Sequence, residues 1–172
     1  MAPRKETEIE KRIIAVLVDN EPGVLARVIG LFSGRGYNIE SLTVTEVDVA
    51  EHLSRITIIT SGTPQVLDQI RAQLDRLVPV HRVSDLTDHG PIVERELALV
   101  KVAGVGEKRV EALRIAELFK AEVVDAGLDY FVFQIAHRSE KLDRFVELME
   151  PLGMVDLCRT GVVALSRGPD GL

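Results

Sequence analysis

Apolar spacing changes in the same order twice along this chain, and few folds accommodate that order. Residues 12–19 (RIIAVLVD) are a run of β-branched and aliphatic side chains, which reads as a buried strand. N-E-P-G turns the chain, and Val24, Leu25, Val28, Ile29, Leu31 and Phe32 then recur at helical spacing until Gly34 and Gly36 stop the helix. Ile39, Leu42, Val44 and Val47 alternate with polar residues as a half-buried strand does. A polar turn at 48–52 leads to a second alternating strand, LSRITIIT. Thr63 is placed to cap the next helix and Pro64 suits its first position, with Val66, Leu67, Ile70, Leu74 and Leu77 on one face. PVHRVSDLT ends the round as a last strand.

After a turn-rich break at DHGPIV, the order starts again in unrelated words. ELALVKVAG is a strand. EKRVEALRIAELFK is a helix expected to bury Val110, Leu113, Ile115, Ala116 and Leu118. AEVVDAG and LDYFVFQIAH are adjacent strands, and SEKLDRFVELMEPLG is a helix with Ser139 as its expected cap. MVDLCRTGVVALSRG closes as one bent strand or two short ones, and the tail after Arg167 reads as frayed. Each round is β-α-β-β-α-β over about 75 residues, the split-βαβ pattern. The expectation is therefore an α+β protein of two ferredoxin-like sandwiches: an extension at 1–11, a first domain at 12–88 and a second at 89–172.

Composition narrows the functions open to such a chain. Aromatics are 4% of the 172 residues, with no Trp, so base-stacking platforms for single-stranded nucleic acid are poorly provided. The formal net charge of -6 gives no general attraction to phosphate backbones or anionic membranes. Cys158 is the single cysteine, which excludes an intrachain disulfide. The opening MAPRKETEIEKR has no apolar segment of a signal peptide, and no apolar run approaches the roughly 18 residues of a membrane span. A soluble, cytoplasmic protein is expected.

Catalysis is not visible. His52, His81, His89 and His137 form no recognised metal spacing, and Asp85 and Asp88 read as a solvated strand end. There is no G-x-S-x-G elbow, no H-E-x-x-H and no P-loop lysine. A-G-V-G-E-K at 103–108 lacks the third glycine of a dinucleotide fingerprint and reads as a tight turn. Cys158, in an apolar strand, reads as a small buried hydrophobe. What remains is the first strand-to-helix turn, Asp19-Asn20-Glu21-Pro22-Gly23-Val24. A helix N-terminus presents unpaired N–H groups and positive potential, which suits a carboxylate. Gly23 allows close approach to the backbone, Asn20 offers an amide to either end of a zwitterion, and Asn38 offers a second. By spacing alone, a well-formed helix start explains the same residues.

The words of this stretch carry more than their spacing. NEPGVLARVIGLFSGRGYNIESLTV closely resembles the opening of the regulatory (small) subunits of acetolactate synthase, and the D-N-E-P-G turn resembles that of ACT domains in general. ERELALVKV and RTGVVALSRG resemble the second domain of the same family, so the likeness runs over about 12–168. The resemblance implies a subunit without an active site or cofactor of its own. Such subunits bind a catalytic subunit that carries thiamine diphosphate, Mg and FAD, raise its activity and make it sensitive to valine. It further implies a homodimer through the ACT domain. Valine would lie between two chains, held by the turn of one, here Asn20, Gly23 and Val24, and by the G-Y-N-I-E asparagine of the other, here Asn38. Arg27 and Arg35 on the first helix are candidates for the grip on the catalytic subunit. The alternative is a free-standing ACT sensor that regulates a different enzyme.

Overall fold

The computed structural model describes residues 8–88 and 90–172; most of the extension and His89 lie outside these. Two compact units result. One runs to Val93 and takes up Val163–Leu172 again, and the other is Glu94–Val162.

In the first unit β1 (Glu10–Asp19) has an apolar centre, Ile13–Val18, and it takes the place that requires burial on both faces. It pairs antiparallel with β3 (Leu53–Gly62) on one side and with β4 (Val80–Asp85) on the other. The edge strand β2 (Ser41–Asp48) pairs with β3, giving the order β2-β3-β1-β4. Ile14, Val16, Val18, Ile56 and Ile58 meet α1 (Val24–Gly34) through Val24, Val28 and Phe32, and α2 (Pro64–Leu74) through Leu67, Ile70 and Leu74. The expected start of α2 is realised: Pro64 opens it, and the Thr63 side chain accepts from the Val66 N–H at 3.4 Å. Leu25 and Ile29 turn outward, so the apolar stripe of α1 is wider than its buried face.

The second unit repeats the plan with β5 (Ile92–Ala103), α3 (Glu107–Phe119), β6 (Glu122–Ala126), β7 (Tyr130–His137), α4 (Ser139–Met149) and β8 (Met154–Arg159). The order is β6-β7-β5-β8. Its core gathers Val100, Phe131, Phe133, Ile135, Leu142 and Phe145. The α+β architecture of two ferredoxin-like sandwiches is thus present, with the final segment as two short strands.

Four local expectations need correction. α3 buries Ala112, Ile115 and Ala116, while Val110, Leu113 and Leu118 are exposed: small side chains let this helix sit close to the sheet. Ser139 does not cap α4. It is the first helical residue, and its hydroxyl donates to Glu96 Oε2 at 2.8 Å. Cys158 is exposed, because β8 is an edge strand with few neighbours. Asp85 is buried rather than solvated, since it meets Arg12, itself 3% exposed, at 2.9 Å.

Among the described residues, each unit contains such an ion network. Arg12 also meets Glu10 at 2.6 Å and Asp88 at 2.5 Å. Burial would pull its pKa down, but the Glu10 hydrogen bond and the charges of Asp85 and Asp88 outweigh it and the pKa rises. In the second unit Glu96 accepts from Arg159 Nε at 2.8 Å and Nη2 at 2.7 Å. Burial would raise the Glu96 pKa, yet the bonds from Arg159 and Ser139 hold it below the ordinary carboxylate range.

Candidate functional site

Three of the four expected ligand residues lie together where β1 runs into α1. Gly23 is the N-cap of α1, with φ 87° and ψ -10°, a left-handed conformation that disfavours other residues. It is needed because Pro22 is followed at once by a helix whose first side chain, Val24, must enter the core. The Val24 N–H donates to the Glu21 carbonyl at 3.3 Å, and the Arg27 N–H to the Gly23 carbonyl at 3.0 Å, which begins the helical ladder. The Leu25 and Ala26 N–H groups precede any intrahelical acceptor. No side chain caps this end, no acidic residue stands in its first turn, and a Cβ built on Gly23 would meet nothing within 4 Å. The turn therefore offers free donors, a partial positive charge of about half a unit and open space.

Asn20 extends this surface. Its backbone N–H donates to the His52 carbonyl at 2.7 Å, and its side-chain Nδ2 donates to Glu46 Oε1 at 3.0 Å. Behind it, Asp19 Oδ1 pairs with His81 Nε2 at 2.5 Å. Residue spacing did not point to Glu46 or His81. They come from β2 and β4, and only strand register brings them to the turn. The β2–β3 register shifts between Glu46 and Asp48, an irregularity that re-aims side chains at the end of an edge strand.

Asn38 is elsewhere. It lies in the loop before β2, not at the start of that strand, and its carbonyl accepts from the buried Thr60 hydroxyl at 2.7 Å while its side chain is exposed. Asn20 is tied to His52 at the head of β3 and Asn38 to Thr60 near its tail. At about 3.3 Å per residue that separation is roughly 25 Å, far longer than a single amino acid. One chain thus does not bring Gly23 and Asn38 around one small ligand. Arg27 and Arg35 line a different place, a groove of about 500 Å³ with Leu31, Gln73, Arg76 and Leu77.

Among the described residues, no group of three or more His, Cys, Asp or Glu side chains is arranged to hold a metal, and no helix is long and apolar enough to cross a membrane. Such chemistry as the turn offers is that of binding a carboxylate.

Comparison with known proteins assigns a family to most of the chain. Residues 14–82 match the family described as the AHAS small subunit-like ACT domain, and residues 95–168 match the small subunit of acetolactate synthase. The acetolactate synthase isozyme 3 small subunit of Salmonella typhimurium is 49% identical over 92% of this chain and 96% of its own length. A probable acetolactate synthase small subunit of Archaeoglobus fulgidus is 44% identical over 92% and 98%. The crystal structure of the acetolactate synthase small subunit from Thermotoga maritima superposes with a TM-score of 0.84 at 32% identity, covering 94% of this chain and 99% of that one. These two family matches, with relatives of this identity and coverage, place this chain in the acetolactate synthase small-subunit family.

Proposed function

We propose that this protein is the non-catalytic regulatory subunit of acetolactate synthase, which activates the thiamine-diphosphate-dependent catalytic subunit and confers feedback inhibition by valine. The observation that carries the reading is the turn at Gly23: a family member keeps free N–H donors, no acidic residue in the first turn of α1 and open space beside Gly23. The valine carboxylate binds there, with Asn20, Gly23 and Val24 around it. Asn38 comes from a second copy, because the two ends of β3 separate it from the turn within one chain. Dimerisation through the ACT domain is then part of the binding mechanism. The catalytic subunit is to be sought at the Arg27 and Arg35 groove.

Magnitudes agree with a metabolite sensor. Two or three charge-assisted hydrogen bonds contribute about 1.5–3 kcal/mol each. An isopropyl group adds about 1.5–3 kcal/mol on burial, and association costs at least about 4 kcal/mol. The balance is micromolar to millimolar affinity. A coupling of roughly 1–3 kcal/mol to the catalytic subunit is enough for inhibition.

The test is acetolactate formation by separately purified catalytic subunit, first with this protein added and then with valine titrated in. Stimulation that valine reverses is expected. No stimulation at any ratio would assign the protein to another partner, as a free-standing ACT sensor.

A further inference from the structure

We infer that Glu46 is the residue that selects the ammonium group of the ligand, so that the site distinguishes an α-amino acid from the matching 2-oxo acid. This rests on the functional reading above and deepens it. A helix N-terminus by itself recognises only the carboxylate, which the amino acid and its 2-oxo acid share. Selection between them requires an anion or acceptors on the other side of the α-carbon. Glu46 supplies one at the turn: its Oε1 is held at 3.0 Å by the neutral amide of Asn20. Among the described residues no ion pair is made to it, whereas Asp19, next to Asn20, is held by the His81 ring at 2.5 Å. Two constraints aim it. Asn20 is fixed by its backbone bond to His52, and the irregular register after Glu46 ends the regular pairing of β2 with β3 at this point. Donors at Gly23 and a carboxylate beyond Asn20 make a dipolar site, positive then negative, that matches a zwitterion. A 2-oxo acid meets the same carboxylate with a carbonyl oxygen, and like polarity rejects it.

The test is calorimetric titration of the full-length protein with valine and with 3-methyl-2-oxobutanoate, for wild type, Glu46→Gln and Glu21→Gln. Glutamine at 46 keeps an acceptor oxygen for the Asn20 amide, so the turn stays positioned and only the charge is lost. Expected is at least a ten-fold loss of valine affinity in Glu46→Gln, with a smaller preference for valine over the 2-oxo acid. Glu21→Gln removes the same charge one residue past Asn20 and is expected to change valine affinity less than two-fold. Unchanged valine affinity in Glu46→Gln, or an equal loss in Glu21→Gln, overturns the assignment to Glu46 and leaves the turn intact. A wild type that binds no valine removes the functional reading itself. Far-UV circular dichroism of the variants checks folding, and Glu46→Asp, which keeps the charge, is expected to recover part of the lost affinity.

Discussion

In both units the first strand passes through a glycine turn with positive φ into a helix that no side chain caps, at Gly23 with φ 87° and at Gly106 with φ 62°. Their surroundings differ. α3 carries Glu107 in its first turn, so a resident carboxylate already meets the positive end of the helix dipole. A Cβ on Gly106 would meet nothing within 4 Å either, so the two helix starts differ in charge rather than in space. α1 has no acidic residue in its first turn and nothing within 4 Å of a Cβ on Gly23. The same fold produces the same set of orphan N–H groups twice, and only the second places an acidic residue in the first turn beside them. On the proposed function, sensing would belong to the chemistry of one turn, on a scaffold that is present in duplicate.

The sharpest way to break this comparison is to give the first turn a resident anion. Gly23→Asp sets a carboxylate at the proposed place of the ligand carboxylate. Two like charges at 4 Å repel by roughly 4 kcal/mol at an effective dielectric near 20, so valine binding is expected to fall beyond calorimetric detection. Gly106→Asp makes the same change in the second unit and is expected to leave valine affinity as it was. Equal effects of the two substitutions would show that the turns are not different in kind.

The next largest effect separates the units by stability. Glu96 is 6% exposed and anchors Arg159 and Ser139 in the second unit. Glu96→Ala removes the Glu96 bonds to Arg159, which is partly exposed and keeps Asp143, and the loss of such a charged hydrogen bond costs about 2 kcal/mol. Chemical denaturation is expected to show that loss while valine affinity is kept. A variant as stable as wild type would show that the network contributes nothing net.

Acid probes the same carboxyl without mutation. Its folded pKa lies below the ordinary value, so it contributes stability that is present above the unfolded pKa of about 4.3 and is lost as pH falls through the folded value. Wild type is expected to lose more stability than Glu96→Ala over that interval. Parallel pH profiles of the two proteins would assign the acid sensitivity to other groups.

How much of this could be read from the residues alone follows from which interactions are local. The strand and helix order was legible because period-two and helical spacings are properties of consecutive residues, as in Ile13–Val18 and in the Thr63–Pro64 start of α2. The turn at Gly23 was legible for the same reason. Glu46 and His81 were not, because their places beside Asn20 and Asp19 are set by sheet register, which no short window contains. The buried face of α3 was misread because Ala112 and Ala116 pack close, and larger apolar residues drew the eye to the exposed side. Ser139 has the residue type of a cap, but Glu96, distant in sequence, takes its hydroxyl.

The smallest expected effect tests whether the open turn of the first unit is completed by another chain. The Asn38 side chain is exposed, and its backbone carbonyl alone bonds Thr60, so Asn38→Ala leaves the fold as it is. Loss of one hydrogen bond to the ligand costs about 1 kcal/mol, and valine affinity is expected to fall by roughly five-fold. Mixing makes this modest effect decisive. When Gly23→Asp chains are unfolded and refolded together with Asn38→Ala chains, each mixed dimer contains one site with both substitutions and one with neither. A shared site therefore predicts that wild-type affinity reappears in a fraction of the sites, although neither parent has it. If Gly23 and Asn38 of the same chain met one ligand, no mixture would contain an intact site and the titration would show only the two parental components. Reappearance of the tight component thus reports directly that the donors of one chain and the amide of another hold the same molecule.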